Sequence, residues 1–210
     1  MKRNNDGYFD FDFEIEDGAV SNVWDAFFVR DLKQRKLFLG VITEESVVDL
    51  IKFIYQFNKE DKGIEPSERQ PILLYITSAG GDVEAGFAAI DAITISKTPV
   101  YTVNVGYEYS MGFLVGLAGH KRYATRNSKY LLHDGTEAVF DSGAKARDRV
   151  AFSNKIEERI KELVLSRSKI TEKEYNKNLR VEWYMHADEA KEKGFVDYIV
   201  GEDCDIDEII

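Results

Sequence analysis

The sequence predicts an α/β domain built on parallel strands, and three observations carry that prediction. Pro71 to Ile76 is a continuous apolar run of the kind that is buried on both faces of a sheet. It is followed by Thr77-Ser78-Ala79-Gly80-Gly81-Asp82 and then by an apolar helix, a strand, glycine turn and helix in succession. The same unit recurs from Val100 to Gly119, and alternation of strands with crossover helices implies parallel pairing.

Taken in order, Asn22 to Lys36 carries Trp24, Phe27, Phe28 and Leu32 at roughly helical spacing, and Lys36 to Gly40 reads as a short strand ending in glycine. Thr43 is placed to cap a helix that presents Val47, Leu50, Ile51, Ile54 and Tyr55 on one face. The polar stretch 58–70 is a loop. After the strand at 71–76, Val83 to Ser96 forms a helix with Phe87, Ile90 and Ile93 inward. The second unit is a strand at Val100 to Val105, a turn from Gly106 to Tyr109 and a helix from Ser110 to Gly119. Short strands follow near Arg122 to Ala124 and Tyr130 to His133. Gly143 to Ser166 is a long charged helix with Val150, Phe152, Ile156, Ile160 and Leu163 as its apolar stripe. Helices near 171–178 and 187–193 precede a last strand at Val196 to Val200.

The 210 residues include 44% hydrophobic and 31% charged, an ordinary globular composition that excludes whole-chain disorder. One cysteine, Cys204, allows no internal disulfide, and His120, His133 and His186 lie too far apart to suggest a zinc site. The longest apolar run, Met111 to Gly119, is far short of the roughly 20 residues of a membrane span. A soluble cytoplasmic protein is expected. The net charge of −10 sits mostly at the ends, with six acids against two bases in residues 1–19 and five acids in 202–210. The expected organisation is therefore an acidic arm (1–19), one domain (20–201) and an acidic tail (202–210). Its near-neutral body offers no basic face for nucleic acid.

Three places could carry chemistry. Gly80-Gly81, between a buried strand and a helix, can present backbone N–H groups to developing negative charge, or can simply form a tight turn. Ser110, in Tyr107-Glu108-Tyr109-Ser110-Met111-Gly112, would lie at the C-terminal edge of the sheet, where ligands of α/β folds gather; its alternative is a helix cap. His133 closes an apolar strand and is placed as a general base, with His120 and His186 as competitors by composition and a structural role as the alternative. The glycine spacing fits neither a Rossmann nor a P-loop site.

Together these segments resemble the caseinolytic (Clp) serine protease family. The likeness runs from about Arg35 to Val200 and rests on Leu37 to Gly40, Tyr75 to Gly81, Ser110-Met111-Gly112, Leu131-Leu132-His133 and Ala187 to Asp197, in family order. The resemblance implies a Clp-peptidase/crotonase-like fold of repeated β-β-α units with a long protruding helix. It implies Ser110 as nucleophile, His133 as base, and Gly81 and Met111 as N–H donors to the oxyanion. It implies no cofactor, heptameric rings stacked in pairs into a tetradecamer, unfolded polypeptides as substrates and a Clp-type AAA+ ATPase as partner.

The sequence also departs from the family pattern. Ala79 replaces a proline, Glu108 and Tyr109 replace small residues before the serine, and Asp134-Gly135 follows the histidine where Gln-Pro is usual. Counting back from Ala187 puts Asn178 where the family has its triad aspartate. An asparagine can accept from the histidine Nδ1–H but brings no charge to stabilise the imidazolium. Glu174, Glu182 and Asp134 are alternative acids. Two other readings remain open: a catalytically weak or inactive ring subunit, and acyl-CoA chemistry on the related crotonase fold.

Overall fold

The computed structural model of the protein describes residues 2–3, 9–10, 23–135 and 140–210. The chain divides into two compact units, Met1–Lys36 and Leu37–Ile210. In the first, β1 (Lys2–Arg3) pairs antiparallel with β2 (Phe9–Asp10). The rest of the expected acidic arm lies outside the described residues. Helix α1 (Val23–Lys33) forms where the Trp24 to Leu32 spacing predicts it, and the turn that follows it includes Arg35, which takes a left-handed φ of 57°.

The second unit is one mixed sheet with helices against it, the α/β class that the alternation predicts. Its strands are β3 (Lys36–Leu39), β4 (Ile72–Ser78), β5 (Val100–Tyr109), β6 (Lys121–Ala124), β7 (Lys129–Leu132), β8 (Trp183–His186) and β9 (Tyr198–Ile199). The main path runs β3-β4-β5-β6-β9, with β7 joined to β5 and β8 to β7. Helix α2 (Glu44–Glu60) packs on α3 (Val83–Ile95), α3 on α4 (Met111–Leu117), and α4 on β4, β5 and β7 of this sheet. Ile54, Ile72, Leu74, Ile76, Ile93, Val100, Phe113 and Leu117 are fully buried between them. Thr43 caps α2 as expected, reciprocated by Ser46.

Strand β5 is the axis of the fold, and it differs from the expected strand in length. Gly106 suggests a turn, yet the strand continues to Tyr109. Its register with β4 jumps from Ile76↔Asn104 to Ser78↔Glu108, so extra residues are taken up as a bulge instead of ending the strand. Asn104, wholly buried, holds the bulge: its Oδ1 accepts from Gly106 N at 2.9 Å and its Nδ2 donates to Lys129 O at 3.1 Å. The bulge also forks the sheet. Residues 101–104 of β5 pair with β6, whereas Tyr107–Tyr109 pair with β7, all in parallel.

Helix α5 (Gly143–Ser166) occupies the predicted range, but Val164 is its only buried residue and Phe152 is 59% exposed. Helices α6 (Glu172–Asn178) and α7 (Ala187–Glu192) lie close to their predicted places, and β8 between them was not expected. The acidic segment 202–210 folds back on the sheet. Its Ile209 is buried against Val103 and Tyr123, and the Tyr75 hydroxyl donates to the Ile209 carbonyl. No helix among the described residues is long and apolar enough to cross a membrane.

Candidate active site

Gly80-Gly81, Ser110, Met111 and His133 lie where β4, β5 and β7 end. Because β5 and β7 are parallel with Tyr109 opposite Leu131, Ser110 leaves the sheet beside the last residues of β7. The Ser110 N–H donates to Leu131 O at 2.9 Å, and His133 follows two residues later. Serine and histidine thus stand at the C-terminal ends of adjacent parallel strands.

Ser110 has φ 54° and ψ −124°, a conformation that a residue with a Cβ adopts only when its surroundings hold it there. A strained serine on a sharp strand-to-helix turn is the geometry that lifts a hydroxyl clear of a sheet edge. The capping alternative does not describe it, since the Ser110 side chain makes no capping hydrogen bond.

The Gly80-Gly81 turn lies directly against this elbow. A Cβ on Gly80 would come within 2.9 Å of the Ser110 Cβ and 3.2 Å of Met111 N, and φ of +101° independently excludes other residues. Gly81, with φ of +148°, is held by Ile42, whose N–H donates to Gly80 O at 2.9 Å and whose carbonyl accepts from Asp82 N at 2.9 Å. These two bonds flank Gly81 and leave its own N–H directed away from Ile42. Neither the Gly81 nor the Met111 N–H donates a hydrogen bond among the described residues. The Met111 side chain lies over Gly86 of α3, which fixes the start of α4.

The other two histidines occupy structural positions. His120 follows α4, and its Nδ1 accepts from Val100 N at 3.1 Å at the opposite end of β5 from Ser110. Burial lowers its pKa. His186 pairs with Lys129 at the start of β7, and its N–H donates to the Glu189 carboxylate at 2.9 Å.

Asn178 is not joined to His133. It ends α6, and its amide nitrogen donates to Glu174 O at 2.9 Å; no hydrogen bond to His133 exists among the described residues. Of the alternative acids, Glu174 is paired with Lys193 at 2.8 Å. Glu182 has a different standing. It lies immediately before β8, whose antiparallel register with β7 ends at Leu132↔Trp183, and its carbonyl accepts from Tyr184 N at 3.2 Å.

Sequence reasoning missed what lies beneath the elbow. Ser78, Glu108 and Tyr130 are register partners across β4, β5 and β7, and all three are buried. Helix α4 sits on this row through glycines: a Cβ on Gly112 would strike Ser78, and one on Gly116 would strike the Glu108 carboxyl. An acid two residues before the serine and a glycine eight residues after that acid were the available signals. Burial pushes the Glu108 pKa well above the usual carboxylate range.

A cleft of 920 Å³ lies elsewhere, lined by His120, Arg122, Arg167 and Asp197 among others. Two of its positive charges are engaged internally: Arg122 binds Asp197 at 2.6 Å, and Arg167 donates to the carbonyls of Ala118 and Gly119 at 2.6 Å. It closes the C-terminal end of α4 and is remote from Ser110.

This fold and elbow define an α/β protein with a serine held at the C-terminal edge of a largely parallel sheet. A family model described as Clp protease matches residues 20–203, and the chain belongs to that family. It is 27% identical over 183 residues to the ATP-dependent Clp protease proteolytic subunit 2 of Treponema pallidum (strain Nichols), covering 86% of this chain and 89% of that one. It is 31% identical over 195 residues to the ATP-dependent Clp protease proteolytic subunit 1 of Chlamydia caviae, covering 89% and 97%. The subunit 2 of Treponema denticola is 31% identical over 144 residues, covering 68% and 72%.

Proposed function

We propose that the chain is a Clp-type serine endopeptidase that cleaves unfolded polypeptides inside an oligomeric chamber. The observation that carries this reading is the left-handed Ser110 backbone with the Gly80-Gly81 turn packed against it. In the proposed reaction the Ser110 Oγ attacks the peptide carbonyl while His133 takes the hydroxyl proton. The tetrahedral oxyanion accepts from the N–H groups of Gly81 and Met111. The C–N bond then breaks, the amine leaves with the proton held by His133, and water attacks the ester to release the acid and restore Ser110. Asn178, or Glu182 in its place, orients the imidazole.

The assembly is proposed as rings of seven stacked in pairs, with α5 at the ring-to-ring contact, where its apolar stripe would be covered. A Clp-type AAA+ ATPase as partner and a cytoplasmic location complete the reading; the relatives' names, which call them subunits of an ATP-dependent protease, support the first.

One observation favours a second reading, a catalytically weak or inactive ring subunit. The Asn178 amide nitrogen is committed to Glu174 O, and Asn178 carries no charge. Fluorophosphonate labelling separates the two. Covalent modification of Ser110, lost in Ser110→Ala, supports the peptidase. Assembled protein that hydrolyses no unstructured polypeptide and takes no label supports the inactive subunit.

A further inference from the structure

Glu108 is 4% exposed, and it lies in the angle between the strand that enters Ser110 and the helix that leaves it. Its carboxyl fills the space that Gly116 leaves open one helical turn and more beyond the elbow. Helix α4 offers it no titratable side chain, since Met111 to Leu117 is wholly apolar or glycine. From β4 it faces Ser78, and from β7 it faces Tyr130. The charge of Arg122 on β6 reaches Tyr130, but that guanidinium is held by Asp197. No lysine or arginine pairs with Glu108 among the described residues.

We infer that Glu108 is a positioning residue of the serine centre: its carboxyl, packed into the gap at Gly116, is a wedge that sets the spacing of α4 from β5, and thereby the aim of the Ser110 hydroxyl and the Met111 N–H. The inference rests on the reading of Ser110 as nucleophile and adds a control on it. An uncharged carboxyl suits this site because no lysine or arginine pairs with it among the described residues, and a carboxylate would draw water or displace the helix. Burial pushes the Glu108 pKa well above the usual carboxylate range, which favours the uncharged form of the wedge. Displacement of the helix start moves both the nucleophile and an oxyanion donor, and misplacement of about 1 Å in such a centre costs about 100-fold in rate.

The test compares the full-length protein with Glu108→Gln and Glu108→Ala. Two readouts run from weakly acidic to alkaline pH: the rate of fluorophosphonate labelling, and the methyl NMR resonance of Met111, one of three methionines. Wild type should lose labelling rate as rising pH ionises the Glu108 carboxyl, while the Met111 methyl shifts in parallel. Glu108→Gln, isosteric and always neutral, should keep the neutral-pH rate within about threefold and show neither change. Glu108→Ala should label about 10–100-fold more slowly. Equal alkaline loss and an equal Met111 shift in Glu108→Gln, or wild-type labelling in folded Glu108→Ala, overturns the inference. If Glu108→Ala does not fold, the glutamine comparison decides alone. Wild type that takes no label at any pH, but whose Met111 methyl titrates only when Glu108 is present, would end the peptidase reading and leave the wedge standing.

Discussion

The backbone N–H of Ser110 donates to the carbonyl of Leu131 at 2.9 Å, so the strand that leads into His133 also fastens the elbow that carries the serine. One hydrogen bond couples the two candidate groups through the sheet, and neither can shift along its strand without the other.

Ser110→Ala should abolish fluorophosphonate labelling and lower hydrolysis of an unstructured polypeptide by about 10⁴-fold or more, with assembly unchanged, because only the attacking oxygen is lost. His133→Ala should match it in a peptidase assay. His120→Ala and His186→Ala should keep turnover, since those imidazoles face Val100 and the start of β7. Inactivity confined to either of these two variants would mean that the base is misassigned.

Asn178→Asp should raise the acylation rate if residue 178 orients His133, because a carboxylate fixes the tautomer and stabilises the imidazolium; the reverse change in a serine protease triad costs about 10⁴-fold. If Glu182 is the orienting group instead, Glu182→Gln should lower the rate and both Asn178→Asp and Asn178→Ala should leave it unchanged. Single-turnover acylation of the three variants distinguishes these arrangements.

Gly81→Ala should remove activity and reduce stability by about 1–3 kcal/mol. A Cβ there would enter the Ile42 carbonyl, and φ of +148° is open to glycine almost alone. Thermal unfolding and peptide hydrolysis report the two effects, and an alanine variant with wild-type values in both would contradict the oxyanion assignment.

Exposure of Val150 and Phe152 on α5 predicts that this face is covered in solution. Sedimentation should find assemblies in multiples of seven subunits, and Phe152→Glu should shift them toward single rings. A stable monomer at micromolar concentration would remove the enclosed chamber from the reading.

The stability of the fold should carry the mark of Glu108. Its carboxyl is neutral when folded but ionised when unfolded above about pH 4.3, so folding takes up a proton. Stability relative to Glu108→Gln is therefore greatest below that pH. It should fall by about 1.4 kcal/mol per pH unit until the folded carboxyl ionises, and then level off. Denaturant midpoints of both proteins across pH measure this difference. A constant difference would mean that Glu108 is ionised in the folded protein.

The order of strands, glycine turn and helices was legible in the sequence because apolar runs and punctuating glycines act locally: Pro71 to Ile76, Gly80-Gly81 and the long helix at 143–166 all lie where patterning puts them. Ser110 and His133 could be selected from their places after apolar strands. The bulge that carries β5 through Gly106 could not be, because a glycine inside a strand and a glycine ending one look alike until Asn104 bonds both Gly106 on its own strand and Lys129 on β7. Nor could β8, whose pairing with β7 joins residues more than fifty positions apart. The left-handed backbone of Ser110, the commitment of Asn178 to its own helix and the wedge of Glu108 against Gly116 were decided by the tertiary structure alone. Each depends on a neighbour brought close by the packing of strand against helix, and contact of that kind leaves no period in the sequence.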